Sequence, residues 1–314
     1  MASEGTLTVQ IGSHRIKTLN AFLQDEIKVR PDLALTLGAK LEHDTFDGWG
    51  MMPSAQAIWE ASPGQHLWAA VSRTHRSPAV TDRDFRFNLY ALPGPGLPIV
   101  VGVTGNPEYR HEELTQVQAG HRIRIGSDAA LETTVFTGRY DGLPTYEPLE
   151  PTVELASGLP HVRAGVVAAN LLNARVSGVE LNARWNPLPQ WEIEASYANL
   201  HLTPQVDPAS LASLDPDTDG NAPEHQWEAR TTISLRPGVD VGASLWRVGR
   251  LYQLAVPAYT RLDARAQFRL NSRLTAALVG QNLSNRRHRE FASDFLFLTS
   301  SLPRGVRLDL RWQF

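Results

Sequence analysis

The sequence predicts an all-β chain, an antiparallel up-and-down transmembrane β-barrel of about 13–14 strands, and three observations predict it. Apolar residues recur at every second position over segments of about ten residues, the period of a strand whose two faces meet different surroundings. Those segments are about twice as long as the five or six residues of an average soluble strand. The connections between them alternate, a tight turn followed by a loose loop, so that a meander would gather all short turns at one end and all long loops at the other.

The last segment shows the pattern most clearly. Val306, Leu308, Leu310, Trp312 and Phe314 alternate with Arg307, Asp309, Arg311 and Gln313. Leu262, Ala264, Ala266, Phe268 and Leu270 alternate with Arg261, Asp263, Arg265, Gln267 and Arg269, and Trp227, Ala229, Thr231, Ile233 and Leu235 with Glu228, Arg230, Thr232, Ser234 and Arg236. Leu33, Leu35, Leu37, Ala39 and Leu41 repeat it near the start. Placing boundaries at turn residues gives strands near 18–30, 33–43, 52–61, 67–76, 112–125, 129–141, 166–186, 190–202, 225–236, 239–250, 258–270, 273–284 and 303–314, with 5–12 offered as a fourteenth. Tight turns fall at Pro31-Asp32, Ser62 to Gln65, Gly126 to Asp128, Pro187 to Pro189, Pro237-Gly238 and Asn271-Ser272; the long loops are 77–110, 142–165, 204–224 and 285–302.

Aromatic residues give an independent check, because Trp and Tyr gather at the two interfaces of a bilayer. Trp59, Trp68, Trp185, Trp191 and Trp312 lie within a few residues of the short-turn end, and Trp227, Tyr140, Tyr252 and Tyr259 near the other. Trp246 falls on the polar side of its segment, and 129–138 and 274–282 can be phased either way. Register elsewhere is strongly specified: slipping 258–270 by one residue would turn Arg261, Asp263, Arg265 and Arg269 outward, at about 2 to 4 kcal/mol for each Arg near a bilayer midplane. The alternative architecture is a soluble sandwich or propeller, whose strands also alternate.

Composition narrows function. Hydrophobic residues make up 42% of the 314, which excludes a disordered chain, and the absence of cysteine removes disulfides, Cys-ligated metals and thiol nucleophiles together. The balance of 30 basic against 33 acidic residues lacks the positive excess that drives nucleic-acid binding. The longest charge-free run, Asn88 to Pro107, is broken by prolines and glycines, so no helix spans a membrane. Met1 to Gly12 has neither the basic start nor the apolar core of a signal peptide.

Several stretches, in this order and at these spacings, carry a family resemblance. They are Phe22-Leu23-Gln24-Asp25-Glu26-Ile27, Leu35-Thr36-Leu37-Gly38 with Leu41-Glu42-His43, and Leu67-Trp68-Ala69-Ala70-Val71-Ser72-Arg73. Later come Val176-Ser177-Gly178-Val179-Glu180-Leu181 before a Trp-x-Pro turn, Val256-Pro257-Ala258-Tyr259 leading to Leu262-Asp263, Gly280-Gln281-Asn282-Leu283-Ser284-Asn285, and the closing Trp312-Gln313-Phe314. From about Phe22 to Phe314 the chain resembles the C-terminal part of the barrel of a TonB-dependent outer-membrane receptor. The resemblance implies residence in the Gram-negative outer membrane and TonB-energised uptake of a metal chelate, such as a siderophore or cobalamin. It also implies a barrel of about 22 strands around an N-terminal plug that contacts TonB. Here 1–17 read as a lead-in and 18–314 as the C-terminal portion of the barrel; the signal, the plug and the first eight or so strands are not seen. The expectation is therefore a fragment of a receptor or a truncated gene product, forming an open curved sheet or a smaller, strained closure. Its partners would be outer-membrane lipid, the barrel assembly machinery, the chelate, and the TonB complex through the plug. A passive pore and a soluble β-rich binding protein are the alternatives.

Candidate sites follow from position. Arg73, His75, Arg76, Arg83 and Arg86 lead into the longest loop, where a cationic cluster would meet an anionic chelate. Phe314 and Trp312 end the last strand, and the terminal aromatic is similar to the assembly signal of outer-membrane barrels. Inward polar positions such as Glu180, Asn182, Arg184, Glu192, Glu194, Glu228, Arg230, Arg261, Asp263 and Arg265 mix both signs, as a wet wall would. Asp215, Asp217, Asp219 and Gly220 match the first half of a calcium loop, but its twelfth position is Gln226, so calcium is a weak expectation. No cofactor and no catalytic residue is called for: His111 is followed by Glu112, but Thr115 stands where a zinc protease needs its second histidine.

Overall fold

Period-two alternation over long segments builds a single curved sheet. The computed structural model describes residues 8–155, 159–212, 222–293 and 298–314. In chain order its strands are β1 (Thr8–Ile11), β2 (Thr18–Arg30), β3 (Leu33–Asp44), β4 (Gly48–Ser62), β5 (Gln65–Arg76), β6 (Phe85–Leu92) and β7 (Ile99–Thr104). Then come β8 (Glu112–Ile125), β9 (Ala129–Glu154), β10 (His161–Leu188), β11 (Trp191–Val206), β12 (His225–Arg236) and β13 (Val239–Val248). The last are β14 (Tyr259–Arg269), β15 (Leu274–Gln281), β16 (Arg287–Ser293), β17 (Leu298–Pro303) and β18 (Gly305–Trp312). One helical turn, Val80–Arg83, precedes β6.

The thirteen barrel strands pair in the order β18-β15-β14-β13-β12-β11-β10-β9-β8-β5-β4-β3-β2, each antiparallel to its neighbours. These are the thirteen segments that alternation marks out. The sheet is open: β2 and β18 are its two edges and do not pair with each other, so the smaller, strained closure does not form. Thr8–Ile11 is not a fourteenth barrel strand, because it pairs with β6 at the long-loop end.

Register fixes the faces. Leu131, Val135, Trp185, Leu278, Leu308 and Leu310 are large, exposed and aligned on the outer face, which settles the phase of 129–138 and 274–282. The inward list from the sequence shares the opposite face, with Glu180 opposite Ala198, Arg184 opposite Glu194, and Glu194 opposite Arg230. Trp246 does face inward, opposite Glu228 and Arg261, and the Arg261 guanidinium lies 4.9 Å from its ring centre. A large aromatic is stable on that polar wall because a cation covers it. Trp59, Trp185, Trp191 and Trp312 lie on the outer face near the short turns, and Trp227 on the outer face near the loops.

Three aromatic assignments are corrected. Trp68 turns inward over Gly120, where an added Cβ would come within 2.3 Å of its indole. Phe136 uses Gly178 the same way, so each glycine leaves room for a flat ring on the inner wall. Tyr140 and Tyr259 are also turned inward, Tyr140 opposite Leu114 and Ala174, and Tyr259 stacked on His288 at 4.3 Å.

The packed core sits at the long-loop end. Phe87, Val103, Tyr109, Leu172, Ala174, Val176 and Val256 are all buried, whereas the outer rows of the barrel strands stay exposed. Among the described residues the other sheet is the two-stranded β16–β17 pair, too small to cover such rows as the second sheet of a soluble sandwich would.

Candidate functional site

Two surfaces carry chemistry: the inner wall and the mouth at the long-loop end. On the wall, Arg122, Glu132, Asn182, Arg184, Glu194, Ser196, Glu228 and Arg230 line a concavity of about 320 Å³. Its charges pair both along and across strands. Arg230 lies 2.7 Å from Glu228 and 3.7 Å from Glu194, and Arg184 pairs with Glu192. Further round, Arg261 pairs with Asp263 at 2.7 Å and reaches Glu290 at 3.5 Å, while His288 meets Glu290 at 3.0 Å. Both signs alternate at close range, so the wall can hold water and polar solutes without a strong field of either sign.

The mouth is more ordered than the sequence predicts. Loops 77–110, 142–165 and 285–302 contain strands: β6 and β7 form a hairpin, β9 runs on to Glu154, β10 starts at His161, and β16 pairs with β17. β7 runs parallel to the first residues of β10, Val162 opposite Ile99 through Val167 opposite Thr104, giving a raised sheet β9-β10-β7-β6-β1. Pro148 and Pro151 read as turn residues, yet Pro148 stands opposite Val166 within the extended pair.

Glu154 ties this raised sheet together. Its carboxylate accepts from Arg86 at 2.7 Å and from Arg163 at 3.3 Å, with His161 at 3.5 Å. The Arg86 hydrogen bond, working against desolvation and assisted by the Arg86 and Arg163 charges, holds that carboxyl below its ordinary range. Glu147 straps down the loop after β11: it accepts from the Ser210 hydroxyl at 2.7 Å and from the backbone N–H groups of Leu211 and Ala212 at 2.7 and 3.0 Å. Burial alone would raise the Glu147 carboxyl, and these hydrogen bonds bring it below its usual value. Tyr109 is buried and donates to Glu112 at 3.1 Å; burial first, then the Glu112 and Asp82 charges, pushes its phenol far up, so it stays a donor.

The five basic residues singled out in the sequence do not converge. Arg73 is on the outer face and pairs with Glu113 at 3.2 Å. The His75 side chain is nearly buried, 3.5 Å from Glu42 and packed against His111, which itself bonds Asp47 at 2.6 Å. Arg76 pairs with Glu112 and Asp82, and Arg83 donates to the carbonyls of Phe46 and Pro107 with Phe46 beneath its guanidinium. Arg86 belongs to the Glu154 network. Asp215, Asp217 and Asp219 lie outside the described residues. Phe314 and Trp312 are exposed at the short-turn end, Trp312 opposite Leu274. Among the described residues no cluster of three or more metal-ligating side chains exists. Glu154 and Glu147 escape a reading by alternation because Arg86 and Ser210 lie 68 and 63 residues from them in the chain, and Tyr109 because it sits in a loop without a period.

Comparison with known proteins follows the same lines. Residues 3–283 match the family model described as TonB dependent receptor-like, beta-barrel. The chain is 30% identical over 149 residues to the probable TonB-dependent receptor BfrD of Bordetella pertussis, covering 43% of this chain and 19% of that protein. It is 21% identical over 319 residues to the probable TonB-dependent siderophore receptor PiuA of Acinetobacter baumannii, covering 95% and 41%. Among solved structures, the siderophore receptor PirA of Acinetobacter baumannii superimposes with a TM-score of 0.73 at 14% identity, over 95% of this chain and 46% of that one. A variant of the ferric enterobactin receptor PfeA of Pseudomonas aeruginosa, in complex with enterobactin, gives 0.72 at 15% identity, over 95% and 46%. At such identities the structures show the fold alone. The chain spans less than half the length of the relatives it matches.

Proposed function

The chain belongs to the TonB-dependent receptor-like β-barrel family, whose members are receptors and transporters rather than enzymes, and on that premise we propose that it forms the C-terminal wall and mouth of an outer-membrane receptor importing an iron–siderophore chelate. The long-loop end is then the extracellular mouth and the short-turn end faces the periplasm. One observation carries the reading: a thirteen-strand sheet, apolar outside and charged inside, topped by a raised sheet held by the Glu154 network. Such a wall suits a bulky polar solute passing beside a plug, and such a mouth gives the solute a shaped surface to dock on. Siderophore is favoured within the chelate class because PiuA, PirA and PfeA are named as siderophore or ferric enterobactin receptors. Energy would come from the TonB complex through a plug outside this chain, and insertion would use the barrel assembly machinery, with Phe314 in its recognition signal.

The test is uptake of radiolabelled iron chelates by cells that produce the whole receptor containing this chain. Saturable uptake of a siderophore that stops when TonB is removed is the expected result. Uptake that is unsaturable and indifferent to TonB would make the protein a passive pore and overturn the reading. Purification from the soluble fraction without detergent would overturn the membrane assignment itself.

A further inference from the structure

Near the mouth, one row of cross-strand neighbours on the outer face is unlike the rows beneath it. Arg73 stands opposite Thr115, Thr115 opposite Arg139, Arg139 opposite Arg175, and Arg175 opposite Thr203. The face is fixed by Val71, Val117, Val135 and Trp185, which alternate with the same phase on the same strands and are exposed. Two arginines directly opposite one another on neighbouring strands repel. Arg73 and Arg139 are answered by Glu113 at 3.2 Å and Asp141 at 2.7 Å, but Arg175 is exposed and has no ion-pair partner among the described residues. Glu113 and Asp141 face each other one step further toward the loops, so the uncompensated charge lies on the Arg175 side of the row.

Height gives this row its meaning. Arg175 and Trp185 share a face ten residues apart. A rise of about 3.3 Å per residue on a strand tilted by about 40° places Arg175 roughly 25 Å above the Trp185 belt, the height of a barrel's apolar band. The arginine row therefore meets the outer leaflet at its headgroups, where guanidinium forks match phosphate oxygens.

We propose that the outer-face pair Arg139 and Arg175 seats a phosphate of an outer-leaflet lipid headgroup. The anion removes the repulsion between the two guanidinium groups, and the hydroxyls of Thr115 and Thr203 flank it in the same row. Bound there, the lipid fixes the height of β8 to β11 in the membrane without entering the lumen. The inference rests on the outer-membrane reading above.

The experiment uses the whole receptor in detergent, with bisphosphorylated lipid A, its dephosphorylated counterpart and inorganic phosphate as probes, read by native mass spectrometry. The expected result is that R139Q/R175Q lowers retention of bisphosphorylated lipid A at least tenfold, while R139K/R175K keeps most of it. Arg273→Gln, a charge loss at a distant turn, leaves retention unchanged, and dephosphorylated lipid is retained weakly by every form. Equal retention by wild type and R139Q/R175Q, or by the two lipids, overturns the proposal. Displacement of the lipid by inorganic phosphate at equal concentration also overturns it, since the seat would then be one for free anion. A receptor that fractionates to the outer membrane yet shows no arginine-dependent retention sinks this inference alone, whereas one recovered in the soluble fraction sinks the functional reading first.

Discussion

Replacing Glu154 with Gln should loosen the raised sheet at the mouth while leaving the barrel wall intact. Glu154, Arg86 and Arg163 keep side-chain exposures of 24%, 23% and 21%, so solvent screens their contacts only partly. A hydrogen bond to a charged group is worth about 1.5–3 kcal/mol when well shielded. Discounting for the remaining exposure and for the weaker bonds Gln still makes, the substitution should cost about 2 kcal/mol. If β6 and β7 open as a unit, that is about a 30-fold fall in their amide protection against hydrogen exchange, with β11 to β14 unchanged. Acid should reproduce it. The Glu154 carboxyl is depressed in the folded state, chiefly by the Arg86 hydrogen bond, so its contribution is present above the unfolded carboxylate range and is lost as pH falls through the folded value. Wild-type protection at β6 and β7 should thus drop on acidification below the ordinary carboxylate range, and E154Q should lack that step. Unchanged protection in E154Q at neutral pH would refute the assignment of Glu154 as the tie.

Three further outcomes follow from the faces and the buried contacts. Leu181→Arg, on the outer face opposite Thr133 and Tyr197, should destabilise the membrane-folded receptor by about 2 to 4 kcal/mol in denaturant titrations, whereas Asn182→Arg on the inner wall should stay within about 1 kcal/mol; equal losses would contradict the register. Asn282 is fully buried at φ 53° and bonds the Leu302 carbonyl at 2.8 Å and His288 at 3.1 Å. Asn282→Ala should cost the β16–β17 hairpin about 2 to 4 kcal/mol, read as faster proteolysis there, and unaltered cleavage would count against its role. Deleting Phe314 from the full-length receptor should lower its outer-membrane yield, with equal yield removing Phe314 from the assembly signal.

Most of the wall was legible in the sequence because one rule governs it. A strand with lipid on one side and water on the other must alternate, so segments such as Arg261–Leu270 and Val306–Phe314 announce both their extent and their facing. Trp246 departs from the rule, and the Arg261 guanidinium over its ring accounts for the inward position. The rule fails at the mouth, where β9 and β10 beyond Tyr140 and Leu172 would rise clear of a bilayer on both faces and alternation loses its cause. There the strands continue through Pro148 and Pro151, and the contacts that matter join residues far apart, such as Arg86 with Glu154 and Glu147 with Ser210. Length alone could have hinted at this, since a connection of 34 residues such as 77–110 seldom stays without structure of its own. The basic cluster from Arg73 to Arg86 illustrates the limit from the other side. Neighbours in sequence, these residues point to the outer face, to partly buried carboxylates and to backbone carbonyls, because alternation and loop turns scatter them.

The most direct test of the lipid-and-water partition uses the lack of cysteine in these 314 residues, with any cysteine elsewhere in the receptor first replaced by serine. Single cysteines placed in turn from Ser177 to Trp185 on β10, in the whole receptor in its membrane, can be probed with a membrane-impermeant maleimide and with a lipid-soluble one. The account predicts a two-residue period: positions 177, 179, 181, 183 and 185 react from the lipid phase and are shielded from the aqueous reagent, while 178, 180, 182 and 184 do the reverse wherever the plug leaves them open. Uniform aqueous labelling along the whole run, with no alternation, would contradict it.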